Sequence, residues 1–182
     1  MLKINFLPDS DRKDRLSSIN KGLEEFRDIW DKDGERIVKA IEGISKLKFA
    51  ESEVNAVVFE SSLFSRSFPL SLTASYPKNR KLSLLTHELV HRLISGNYIR
   101  LDLKEGQNIV NEVHKVMDLI LYDVWVELEG KEYADMVVKL ECKYSITGVT
   151  KEIWKWVLSF SKEERASKFK TVVENSTPKK NS

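Results

Sequence analysis

The sequence predicts an α+β domain, mostly helical, with a small sheet packed beside the helix that carries two of its three histidines. Two kinds of periodicity and one bound on size lead there. Short stretches near the start and middle of the chain alternate apolar and polar residues, as half-buried strands do, whereas several longer stretches repeat apolar residues every three or four positions, as helices do. With 182 residues, 41% of them hydrophobic, the chain can bury one core but not two independent ones. Residues 1–174 are therefore read as a single domain and 175–182 as a flexible tail.

Leu2-Lys3-Ile4-Asn5-Phe6 alternates and stops at Pro8-Asp9, giving a first strand. From Arg12 to Trp30, the residues Leu16, Ile19, Leu23, Phe26, Ile29 and Trp30 recur with helical spacing. Asp33-Gly34 is expected to break that helix, with a second one over Glu35 to Lys46. Val54 to Phe59 forms an apolar run, followed by Phe64 and then by Phe68, Leu70, Leu72 and Ala74 at every second position. This pattern predicts two strands joined by a turn. Pro69 cannot donate a ladder hydrogen bond, so the second strand belongs at a sheet edge or starts after the proline.

Tyr76-Pro77-Lys78-Asn79-Arg80 then breaks the chain before Leu82, Leu84, Leu85, Leu89, Leu93 and Ile94, a helical stripe that ends at Gly96-Asn97. Ile109 to Leu128 carries the strongest helical pattern, with Val113, Val116, Met117, Ile120, Leu121, Val124 and Leu128 on one face and Gly130 beyond its end. Further helices are expected over Lys131 to Leu140 and Thr150 to Phe160. Ser161-Lys162-Glu163-Glu164 has the form of a capping box opening a last helix toward Val173.

The charge pattern narrows the function classes. The 30 basic and 28 acidic residues are interleaved and leave a net charge of +2, so no basic patch of the kind that binds nucleic acid stands out. No apolar run approaches the ~18 residues of a membrane span, and Met1-Leu2-Lys3 does not open a secretory signal. Cys142 has no second cysteine to pair with and reads as an inert buried thiol. A cytoplasmic, reduced setting without membrane or nucleic-acid partners is the expectation.

The chemistry concentrates in Thr86-His87-Glu88-Leu89-Val90-His91. Residues four apart on a helix project from one face, so His87 and His91 can offer two imidazole nitrogens to a single ion at the ~2.0–2.1 Å that Zn2+ prefers. Glu88 is rotated by ~100° from His87 and can take a proton from a water on the open side of the metal. A catalytic zinc usually takes a third protein ligand. His114, at the border of the apolar face of the long helix, is the first candidate, and Asp118 one turn later either orients a zinc-bound histidine or binds the metal itself. Glu112, on the opposite flank together with Asp123, competes for the same place. A plain helical projection lets only one flank face His87 and His91.

This segment resembles the zincin superfamily of metallopeptidases. In the gluzincin branch a downstream helix supplies a glutamate ligand, followed four residues later by an aspartate that supports a zinc histidine. Asn111-Glu112-Val113 looks like the ligand-bearing end of such a helix, but Val116 stands where that aspartate belongs. The pair His114 and Asp118 keeps the four-residue interval with histidine in place of glutamate, closer to minimal zincin-like domains with three histidines. The glycine-bracketed third ligand and methionine turn of the metzincins are absent.

The resemblance implies a Zn2+ cofactor and a peptide or protein substrate. It also implies an edge strand, Val54 to Phe59 or Leu70 to Ala74, that pairs with an extended peptide. The reaction expected is hydrolysis of a peptide bond with Glu88 as general base; the alternative is a non-catalytic zincin-fold module that binds metal or a protein partner. Tyr98, Tyr144, Arg92 and Arg100 could each stabilise an oxyanion. Trp125, Trp154 and Trp156 could line a pocket but suit a core better.

Overall fold

The computed structural model describes residues 2–9, 11, 13–60, 65–144 and 149–176. Strand β1 (Lys3–Pro8) is followed by a 3-10 turn at Lys13–Arg15 and by helix α1 (Leu16–Ser45). Strands β2 (Glu53–Phe59) and β3 (Leu70–Thr73) precede five further helices: α2 (Lys78–Gly96), α3 (Ile109–Glu129), α4 (Lys131–Tyr144), α5 (Val149–Val157) and α6 (Lys162–Ser176). The α+β class with a small sheet is thus as expected. Among the described residues, no helix is long and apolar enough to cross a membrane.

The sheet has the order β1-β2-β3 and is parallel throughout, with Lys3 opposite Glu53 and Ala56 opposite Leu70. Ile4, Phe6, Val54, Ala56, Val58, Leu70 and Leu72 are all buried on the face that α1 covers, where the Phe6 and Phe26 rings stack at 6.2 Å. The opposite face is wet. There Asn5 donates to the side chains of Glu53 and Asn55 at 2.6 and 3.1 Å. A parallel sheet is ordinarily covered on both faces and reads as continuous apolar runs. This one is covered on a single face, and the alternation in its sequence follows from that.

The expected turn between the second and third strands is corrected. Because β2 and β3 run parallel, the chain between them must travel back along the sheet, which a tight turn cannot do. Residue 64, which the sequence reading placed between the two runs, lies outside the described residues. Pro69 precedes β3, which starts at Leu70 and sits at the sheet edge.

The expected break at Asp33-Gly34 does not occur either, for α1 runs unbroken for 30 residues. Gly34 is buried and falls on the same stripe as Ile19, Leu23, Phe26, Ile37 and Ile41, and a Cβ there would come within 2.9 Å of the Trp30 ring. Glycine in a helix interior costs only ~1 kcal/mol relative to alanine, which burial on both sides of Gly34 outweighs. Asp33 is occupied by Arg36 at 2.8 Å.

Helix α3 is the hub and touches every other helix. Its periodicity predicts one apolar face, but residues 116–125 are buried on all sides, including Leu119, Tyr122 and Trp125 away from the predicted stripe. Its two interior acids, Asp118 and Asp123, therefore lie inside the protein. Asp123 accepts two hydrogen bonds from buried Arg165 of α6, at 2.7 and 3.0 Å. The start of α6 is fixed by a reciprocal capping box: Ser161 N–H donates to Glu164 at 2.7 Å, and Glu164 N–H donates to Ser161 Oγ at 3.2 Å. The helix continues to Ser176, so Asn175 and Ser176 belong to it rather than to a tail, while 177–182 lie outside the described residues.

Two substitutions test this packing. A Cβ at Gly22 would lie 2.7 Å from Cα of Ala74, so Gly22→Ala should destabilise by ~1–3 kcal/mol despite its better helix propensity, read as a lower thermal midpoint. Asp123→Ala leaves a buried guanidinium uncompensated and should cost ~3–5 kcal/mol in urea denaturation.

Candidate metal centre

The buried stripe Leu82, Leu85, Leu89 and Leu93 seats α2 in the core and turns His87 and His91 to its half-buried flank. Thr86 fixes the helix against α3. Its hydroxyl donates to the Leu82 carbonyl at 2.9 Å and accepts the indole N–H of Trp125 at 2.8 Å. Both partners are wholly buried, so this polar contact holds the rotation of α2 relative to α3 in a place where an unmade bond would be costly.

That rotation brings His114 of α3 onto the HExxH pair. The ring centroids are 5.0 Å apart for His87 and His91, 5.4 Å for His87 and His114, and 5.0 Å for His91 and His114. One donor atom from each ring lies within 4.8 Å of the other two. Tetrahedral zinc at ~2.0–2.1 Å asks for nitrogens about 3.3–3.5 Å apart, within reach of modest imidazole rotations. His114 Nδ1 is 2.8 Å from the Val110 carbonyl, a contact that places the proton on Nδ1 and leaves Nε2 as the lone-pair donor.

The other expected residues fall in different places. Glu112 is outside the cluster and pairs with Lys115 at 2.7 Å on its own helix. Asp118 is almost fully buried, and its Oδ1 has no hydrogen-bond partner among the described residues. Burial and the charge of Glu141 hold its carboxyl well above the ordinary range, against the pull of His87. Asp118 thus acts electrostatically on His87, although it shares a helix with His114. Glu88 is buried, with Oε2 accepting from Ser67 Oγ at 2.6 Å.

Glu141 and Ser67 were not singled out in the sequence as site residues, and Trp154 was weighed there as a pocket-lining residue but read as core. Glu141 Oε1 stands 3.6 Å from His87 Nδ1, an electrostatic contact slightly too long for a hydrogen bond. Burial disfavours a charged His87, but Glu141 foremost, then Glu88 and Asp118, outweigh it and raise its pKa to about 9. His91 is driven the other way, to about 2, by burial and then by its two histidine neighbours. Burial, then the charge of His87, also lowers His114. Two of the three imidazoles are therefore neutral nitrogen donors near pH 7, the form a metal needs.

A signal for Glu141 was present. It continues the stripe Ala134, Val137 and Val138 by three residues, and α4 runs on to Tyr144 instead of ending at Leu140.

The remaining expectations meet different outcomes. β2 is the central strand and offers no edge to a substrate. β3 is an edge, but Ser71 N–H and C=O are bonded to Arg66 at 2.8 and 2.9 Å, and Thr73 N–H donates to Ser65 Oγ at 3.1 Å. Arg92 is bound to Glu51 and the Ser67 carbonyl, while Tyr98 and Tyr144 are exposed. Ser176 Oγ donates to the Arg100 carbonyl at 2.7 Å. Trp125 and Trp154 are core, Trp156 is partly exposed, and Cys142 is half-buried with its thiol pushed up by burial and Glu141. Comparison with known protein families, curated proteins and solved structures finds no match to this chain.

Mutation separates the candidates for third ligand. Zinc content after dialysis against Zn2+ should be one ion per chain in the parent and in Glu112→Ala, and should fall to a small fraction in His114→Ala.

Proposed function

We propose that this chain is a zinc-dependent hydrolase of peptide bonds, with His87, His91 and His114 as metal ligands and Glu88 as general base. The observation that carries the reading is the arrival of His114, from a separate helix, on the turn that bears the HExxH pair. The donor set also fits the ion chemically: three imidazoles suit zinc and leave a fourth position for substrate or water. Asp118 Oδ1, buried and without a hydrogen-bond partner among the described residues, belongs to a carboxyl that burial holds toward its neutral form and that a cation on the histidines would draw toward the ionised one.

Zinc held in such a site acidifies water and polarises a carbonyl. The chain's own residues do the rest. Glu88, next to His87 in sequence, accepts the proton lost by the attacking water and returns it to the departing amine. Ser67 Oγ holds its Oε2. His114, with its Nδ1 proton on the Val110 carbonyl, keeps a fixed tautomer toward the ion. A zincin-like origin and a cytoplasmic setting belong to the same reading, with a peptide or protein as partner and neither nucleic acid nor membrane.

One observation favours a second reading, a metal-binding module without catalysis. Glu88 is buried and engaged with Ser67, so its carboxylate is committed to a structural bond. Glu88→Gln distinguishes the two. With denatured casein as substrate, the zinc-loaded variant should lose at least ~10²-fold in hydrolysis while keeping its zinc. A parent that binds zinc and cleaves nothing, or a variant that cleaves as well as its parent, would reject Glu88 as base.

A further inference from the structure

Thr86 and His87 are adjacent on α2, and a circuit of buried and half-buried groups joins them from outside the helix. Thr86 Oγ1 accepts from Trp125 of α3 at 2.8 Å. The Trp125 ring lies against Trp154 of α5, with centroids 5.7 Å apart. Trp154 is 1% exposed, and its indole N–H donates to Glu141 Oε2 of α4 at 2.9 Å. The second oxygen of the same carboxylate faces His87 Nδ1. Three other helices thus contribute to the hold on one turn of α2, and Glu141 has each oxygen directed at a different ring.

We infer that Glu141, anchored by Trp154, is a positioning residue for His87: it turns Nδ1 of the imidazole toward its own carboxylate and so presents Nε2 to the metal. The inference rests on the zinc reading above but adds to it. A ligating histidine whose other nitrogen faces a carboxylate has a defined tautomer, a restricted ring angle and a more basic donor nitrogen. The indole matters because it fixes the acid. A glutamate has several rotatable bonds, and a carboxylate free to swing would restrict nothing. Glu141 stays outside the donor cluster formed by the three histidines, which separates positioning from direct ligation.

The test uses the full chain, with zinc affinity measured by competition against a chromophoric chelator and Co2+ absorption as a report on coordination. Glu141→Ala should bind one ion with affinity lowered ~10–100-fold and with shifted Co2+ visible bands. Glu141→Gln, which retains an oxygen acceptor, should recover part of the affinity. Trp154→Phe keeps a ring against Trp125 without the N–H and should weaken binding in the same direction by less. These two variants carry the test should Glu141→Ala fail to fold.

Unchanged affinity and spectrum in these variants, with a parent that binds zinc, would overturn the positioning role and leave the zinc reading intact. Loss as complete as in His91→Ala would overturn it by making Glu141 a ligand. A parent that binds neither Zn2+ nor Co2+ would refute the zinc reading itself.

Discussion

The contact between Thr86 and Trp125 governs the candidate site, because it fixes which side of α2 meets α3. An α-helix can roll on its neighbour at little cost when the interface is purely aliphatic, since leucines repack with small penalties. A hydroxyl and an indole N–H buried together cannot do so without leaving a donor unmade. The rotation of α2 is therefore tied to a polar pair one residue from His87. As α3 contacts all the other helices, the placement of His114 relative to His87 and His91 is inherited from the whole core.

Much of the helical frame was legible because burial there is periodic. The stripe on α2, the long apolar pattern of α3 and the serine–glutamate cap of α6 are local features, and the pairing of His87 with His91 needs only helical geometry. What escaped was tertiary. Gly34 looked like a break because its value lies in the closeness of Trp30, which no local pattern displays. The parallel order of the strands depends on α1 crossing between β1 and β2. Asp118 bears electrostatically on His87 of the neighbouring helix, a relation that depends on the packing of α2 on α3. Glu141 stood one residue beyond the expected end of its helix, and Trp154 reads in sequence as one more core aromatic.

The interior acids divide by the company they keep. Asp123 faces Arg165, and Glu25 faces the buried ammonium of Lys81, so each of these charges is compensated within the protein. Around the histidines the balance differs. Glu88 is bonded to a serine, Glu141 to an indole, and Asp118 has an oxygen with no partner among the described residues. The compensating groups there are imidazoles, whose charge is conditional on protonation. This local excess of acceptors over fixed cations separates the site from the rest of the core.

The stretch from Ser65 to Ser67 joins two of these features covalently. Arg66 occupies the outward groups of Ser71, and its neighbour Ser67 grips the Glu88 carboxylate. The backbone that closes the sheet edge is thus the backbone from which the Glu88 contact is offered, so the border of the sheet and the setting of this acid share one short segment.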